Sequence, residues 1–285
     1  MALQYPLIEI AAVAPGTAGA ASGWTEGEFR AVLDERHGAS STFYQAVLGP
    51  GEIRQRHVNE SCDEMYYVMS GHGLAGADGE CVELFAGHYH LIAKGVEHWL
   101  ANAGRNDPLV VIGLYDRAPA PEAAGSRITG TVGEAQLTMP RTARPRHALV
   151  HDDAVPLVKV SREEGWTQDY FCEPLNRRNG AGTCWMYGYF GPGTIHNKHR
   201  HTRCEEICYA LRGNGVAGVG DDRVDFRTGH VHYIPTGVEH WLANVSDSEV
   251  LIAPGFYIGV GGLDESGFEY IGPVMPDDLE RRTPV

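Results

Sequence analysis

Short runs of alternating apolar and polar residues, each broken by glycine, recur along this chain. EMYYVMSGHG (64–73), VELFAGHYHLIAKG (82–95), EICYALRGNG (206–215) and VDFRTGHVHYIPTG (224–237) are examples. Runs of this length, rich in Tyr, Val and Ile, predict β-strands. Glycine and proline together supply 52 of 285 residues, well above the roughly 12% of an average chain. That excess fits many tight turns and an all-β fold with little helix. TEGEFRAVLDER (25–36) is the one segment with a weak helical pattern.

The pattern repeats. GHYHLIAKGVEHWLAN (87–102) and GHVHYIPTGVEHWLAN (229–244) agree at 12 of 16 positions, at an offset of 142. The same offset carries GPGEI (49–53) onto GPGTI (191–195), His57 onto His199, Cys62 onto Cys204, Glu64 onto Glu206 and Gly71 onto Gly213. Duplication of one domain accounts for this. Between the copies, APAPEAAGSRITG and MPRTARPRHALVHDD lose the alternation, as a linker does. The expected organisation is an N-terminal domain over 1–117, a linker over 118–150 and a C-terminal domain over 151–285.

The second copy concentrates metal-ligating chemistry. His199 and His201 are two apart on a predicted strand and so share a face. Glu206 follows shortly after, and His240 arrives from a later strand. Three imidazoles and a carboxylate suit Fe²⁺, Mn²⁺, Ni²⁺, Cu²⁺ or Zn²⁺. Four such ligands on an octahedral ion leave two positions for substrate, water or oxygen.

These spacings resemble the two motifs of the cupin superfamily, G-x5-H-x-H-x4-E-x6-G and G-x5-P-x-G-x2-H-x3-N. Gly193, His199, His201, Glu206 and Gly213 fill the first; Gly229, Pro235, Gly237, His240 and Asn244 fill the second. The first copy is similar, with Gly51, His57, Asn59, Glu64 and Gly71, then Gly87, Ala93, Gly95, His98 and Asn102. The resemblance implies a bicupin: two tandem double-stranded β-helix (jelly-roll) barrels, whose inward side chains converge on one interior. It also implies that His199, His201, Glu206 and His240 bind one divalent transition metal, with iron favoured. In the first copy Asn59 replaces a histidine and Ala93 a proline. His57, Asn59, Glu64 and His98 are therefore a candidate second metal site, and a weak site or a packing scaffold is the alternative.

Several neighbours recur with the motifs. His88 and His90 return as His230 and His232, and His232 is a candidate acid or base beside the metal, together with Glu206. The simpler expectation is that these histidines fill polar gaps away from it. Cys62 and Cys204 read as small buried residues. Trp99, Trp241, Asn102 and Asn244 read as scaffold, while Tyr66, Tyr209 and Cys208 are candidates to line a barrel. Arg54, Arg56, Lys198 and Arg200 alternate against the ligand positions, so all four are expected in solvent, Arg54 with the least certain direction.

Composition narrows the function. The net charge is −14 with no basic block, which argues against nucleic acid as a partner. No apolar run approaches the roughly 18 residues of a membrane span, and the N-terminal segment lacks the basic start of a signal peptide. Six cysteines without a CxxC pair fit a reducing compartment. The expectation is a cytoplasmic protein with a small-molecule substrate, with a homodimer compatible. The first functional expectation is a non-haem metal dioxygenase of an enolic, phenolic or dicarbonyl compound. The alternatives are a non-oxidative isomerase, decarboxylase, cyclase or lyase, and a small-molecule-binding or regulatory protein.

Overall fold

The alternation is realised as antiparallel strands in two separate units of a computed structural model, which describes residues 3–16, 27–160 and 169–284. One unit spans residues 13–154; the other holds residues up to 12 together with those from 155 onward.

The first unit has two sheets. In the larger, Glu64–Ser70 lies between His88–Ile92 and Leu109–Tyr115, and Thr42–Leu48 and Glu28–Leu33 continue the order. In the smaller, Ile53–Asn59 pairs with His98–Asn102, and His72–Ala77 and Glu80–Phe85 follow. The second unit repeats the order. Glu205–Tyr209 lies between His230–Ile234 and Leu251–Ile258, and Ile195–His201 pairs with His240–Ala243. Each unit encloses its own apolar cluster, around Tyr44, Val111 and Leu84 in the first and Phe226, Leu251 and Phe190 in the second. This is the expected all-β pair of jelly-roll barrels.

The repeated glycines have a physical reason. Gly71 directly follows the strand that carries Glu64, and Gly213 lies shortly after the one that carries Glu206, at φ of 94° and 85°. A Cβ there would stand 2.5 Å from the carbonyl oxygens of Pro108 and Val250. Only glycine combines that left-handed backbone with so close an approach.

Two expectations change. The stretch 118–150 is no free linker. Ser126–Gly130 adds a strand to Ile53–Asn59, and Val132, Leu137 and Met139 pack against Trp99 and Leu74. Leu149–His151 then pairs with His88–Ile92, which carries the first unit on to residue 154. At the equivalent edge of the second unit, Leu7–Glu9 pairs with His230–Ile234, Leu7 opposite His232. The backbone N–H groups of Gln4 and Tyr5 both donate to the buried carboxylate of Asp222.

The second change concerns 25–36, whose first two residues lie outside the described ones. Glu28–Leu33 is a strand paired with Thr42–Leu48. Only Glu35–His37 makes a single 3-10 turn, capped by Asp34. Burial of Phe29, Val32 and Leu33 against the sheet outweighs the weak helical preference.

Candidate metal centre

In the C-terminal barrel, His199 stands directly opposite His240 across two paired strands. His201 lies two residues on, and Glu206 comes from the other sheet. All four are buried, and one ligating atom from each lies within 4.8 Å of the others. His199 Nδ1 is 2.7 Å from the carbonyl of Asn197, and His240 Nδ1 is 3.0 Å from that of Val238. A carbonyl only accepts, so each Nδ1 carries the proton and each Nε2 turns a lone pair inward. Metal-bound histidines are held in this way.

The remaining atoms point to a cation. His240 Nε2 and His201 Nε2 lie 3.1 and 3.5 Å from Glu206 Oε2. Neither approach has hydrogen-bond geometry, and all three atoms are buried without a hydrogen-bond partner. Orphans of this kind are costly unless an ion shares them. Burial alone would raise the Glu206 carboxyl, but His240, then His201 and His196, hold it below the usual carboxylate range. Burial pushes His201 down to about 4, so its imidazole is neutral, as a ligand must be. The residues fit a divalent ion.

His199, Glu206 and His240 border a cavity of about 40 Å³, room for a few water molecules or a substrate of similar size. His196, Cys208, His232 and Tyr257 also face it, and most of the remaining wall is apolar, Phe226 and Ile234 included. Among the described residues, no lysine or arginine lines it. Burial pushes His196 and His232 down to about 3, so both present neutral imidazoles.

The N-terminal barrel also gathers potential ligands, His57, Glu64 and His98. His57 faces His98 across paired strands, and their Nδ1 atoms donate to the carbonyls of Gln55 and Val96. The Glu64 carboxylate, however, already has donors. Oε1 accepts from the Tyr44 hydroxyl and from Arg54 Nη1, each at 2.5 Å. Oε2 accepts from Asn59 Nδ2 at 2.8 Å, and His98 Nε2 lies 3.0 Å from it. Burial alone would raise this carboxyl; Arg54 first, then His98, hold it well below the usual range.

Arg54 corrects the sequence expectation: it is 2% exposed and not in solvent. Strand parity failed because the pairing register shifts between Arg54 and His57, and a bulge turns side chains three apart to one face. The equivalent shift between His196 and His199 brings His196 inward. Sequence reasoning missed His196 for the same reason, although the offset of 142 aligns it with Arg54. Arg56, Lys198 and Arg200 do face outward, in ion pairs with Glu97, Asp278 and Glu269.

The other singled-out residues divide. Contrary to the gap-filling expectation, His232 faces the cavity; His90 agrees with it, buried with its Nδ1 2.7 Å from the Tyr66 hydroxyl. His88 and His230 are half-buried beside backbone carbonyls of Phe85 and Asp225. Cys208 lines the cavity, whereas Tyr209 is buried away from it. Cys62 and Cys204 sit in apolar clusters. Asn102 and Asn244 tie loops through backbone carbonyls. Trp99 and Trp241 cover Gly76 and Gly218 so closely that a Cβ would clash; Trp241 also reaches the cavity wall.

Comparison with known proteins agrees with the folds. The cupin domain model matches residues 44–115 and again 186–254. No curated protein sequence matches the chain. Among solved structures, an oxalate decarboxylase from Lactobacillus farciminis in complex with formate superposes with a TM-score of 0.68 at 13% identity, covering 100% of this chain and 98% of that one. Oxalate decarboxylase from Bacillus subtilis gives 0.65 at 13% identity, over 92% and 78%. The protein Ylba from E. coli gives 0.65 at 16% identity, over 88% and 89%. At these identities the likeness concerns the fold. With two matched domains on two barrels, this chain belongs to the cupin superfamily as a bicupin.

Proposed function

We propose that the C-terminal barrel is the active site of a metal-dependent enzyme that rearranges or decarboxylates a small carboxylate or carbonyl compound without consuming oxygen. The observation carrying this reading is the convergence of four buried donor atoms, three of them at the wall of a small cavity that also receives a neutral histidine, His232. His199, His201, Glu206 and His240 would hold the metal. The donor set suits Fe²⁺ and Mn²⁺ alike. Manganese gains weight from the Mn(II) centres of the structurally similar Bacillus subtilis oxalate decarboxylase.

A divalent ion in this position supplies Lewis acidity toward a substrate oxygen. The protein supplies the rest. His232 Nε2 is buried without a hydrogen-bond partner and can take a proton from, or return one to, substrate in the cavity. The apolar wall excludes water from the charge that develops. Among the described residues no lysine or arginine lines the cavity, so these meet substrate charge from the metal side, which favours a neutral or singly charged molecule.

The test is turnover of small keto acids, hydroxy acids and dicarboxylates by protein loaded with Mn²⁺, Fe²⁺ or Zn²⁺, with and without oxygen. Product formation or CO₂ release under anaerobic conditions is the expected result. Stoichiometric oxygen uptake with a phenol or dicarbonyl would refute the non-oxidative reading. It would restore the dioxygenase, a reading favoured by the three-imidazole, one-carboxylate set. Tight binding of a compound returned unchanged would point instead to a sensor.

A further inference from the structure

We propose that the N-terminal barrel of this bicupin does not bind a metal, because the guanidinium of Arg54 holds the place that a metal cation takes in the electrostatics of the other barrel. An ionised carboxylate offers about four acceptor positions. At Glu64 three are taken by donors from Tyr44, Arg54 and Asn59, and the His98 imidazole lies against the carboxylate at 3.0 Å. Glu64 is fully buried and Arg54 nearly so, so no water competes for these positions.

The offset of 142 shows what differs between the barrels. Tyr44, Arg54 and Asn59 correspond to Met186, His196 and His201. Each of the three in the first barrel donates to Glu64, and Glu206 Oε2 has no hydrogen-bond donor at all. Arg54 is further held by the Tyr115 hydroxyl, 2.8 Å from Nη2.

Asn59 is turned the wrong way to serve as a ligand. Its oxygen accepts from the Ser126 hydroxyl at 2.6 Å, and its NH₂ group faces Glu64. Of the inward imidazole nitrogens, His57 Nε2 is left without a partner and His98 Nε2 lies against the carboxylate that Arg54 already neutralises. Imidazoles beside a fixed buried cation are a poor site for a dication, since like charges in a low dielectric repel strongly. The first barrel keeps the geometry of its twin by replacing a removable ion with a permanent one.

Metal content measured by mass spectrometry on the full chain tests this. Wild-type protein saturated with Mn²⁺ or Zn²⁺ is expected to retain one ion per chain; two would overturn the inference. A content of zero would refute the C-terminal reading proposed above and leave this one standing. With the C-terminal set removed (His199→Ala with His240→Ala), retained metal is expected to fall to a background level. One ion held by that chain would overturn the inference. Copying the second barrel into the first (Tyr44→Met, Arg54→His, Asn59→His) in the same background is expected to restore one ion. If that variant keeps its far-ultraviolet circular dichroism and still takes up none, Arg54 and its partners are not what excludes the metal.

Discussion

Replacing Arg54 by methionine keeps most of the side-chain bulk and removes the charge. Glu64 is then left as a buried anion, with Tyr44 and Asn59 as its remaining donors. The two side chains are 3% and 0% exposed, so water cannot replace the lost partner. Removing one member of a buried ion pair costs about 3–5 kcal/mol. Glu64→Gln should cost about as much, because it strands the guanidinium instead. The double variant leaves no uncompensated charge. Its cost should match one single variant rather than the sum of two, a coupling of about 3 kcal/mol. Hydrogen exchange under a urea series, read on peptides covering 53–59 and 64–70, measures the opening of this barrel apart from the other. A cost below about 1 kcal/mol for Arg54→Met, or strictly additive effects, would refute the view that this pair organises the barrel.

Other outcomes follow from the same geometry. A divalent metal at a hundred times its dissociation constant should stabilise the C-terminal barrel by about 2.7 kcal/mol. His240→Ala should abolish that increment in a thermal melt. His232→Gln should retain metal and lose about 10²–10⁴ in kcat; unchanged turnover would remove His232 from the chemistry. Asp222→Ala should cost about 1–3 kcal/mol, because the N–H groups of Gln4 and Tyr5 lose their acceptor, and exchange should rise first in peptides covering 3–10. Burial alone would raise the Asp278 carboxyl, but Lys198, the Met275 N–H and Arg223 hold it down at about 2, against 3.8 ordinarily. A depressed pKa stabilises the folded state above the ordinary value. That support should fade as pH falls from about 4 to about 2, loosening residues 275–283 in a pH series of exchange measurements.

Much of this protein was legible in its sequence because cupin motifs are local. His199 and His201 share a face wherever they form a strand, and a carboxylate five residues after His201 reaches the same interior. The glycines at 71 and 213 mark turns that only glycine can make. The duplication made the fold readable twice. Parity arguments held for Arg56, Lys198 and Arg200, each the immediate neighbour of a ligand position. They failed at Arg54 and His196, where a register shift intervenes. The candidate helix at 25–36 failed because a sheet edge claimed it.

The sequence by itself determined two all-β repeats, a complete ligand set in the second and an incomplete one in the first. Tertiary structure decided what the incompleteness means. Asn59 alone could have left a weak three-ligand site; a bulge that turns Arg54 inward, and Tyr44 from another strand, complete the carboxylate's hydrogen bonds instead. Tertiary structure also decided which strand closes which barrel. Sheet pairing depends on edges that come together in space, and the edge beside His232 is filled by residues 7–9, more than two hundred positions away in the chain.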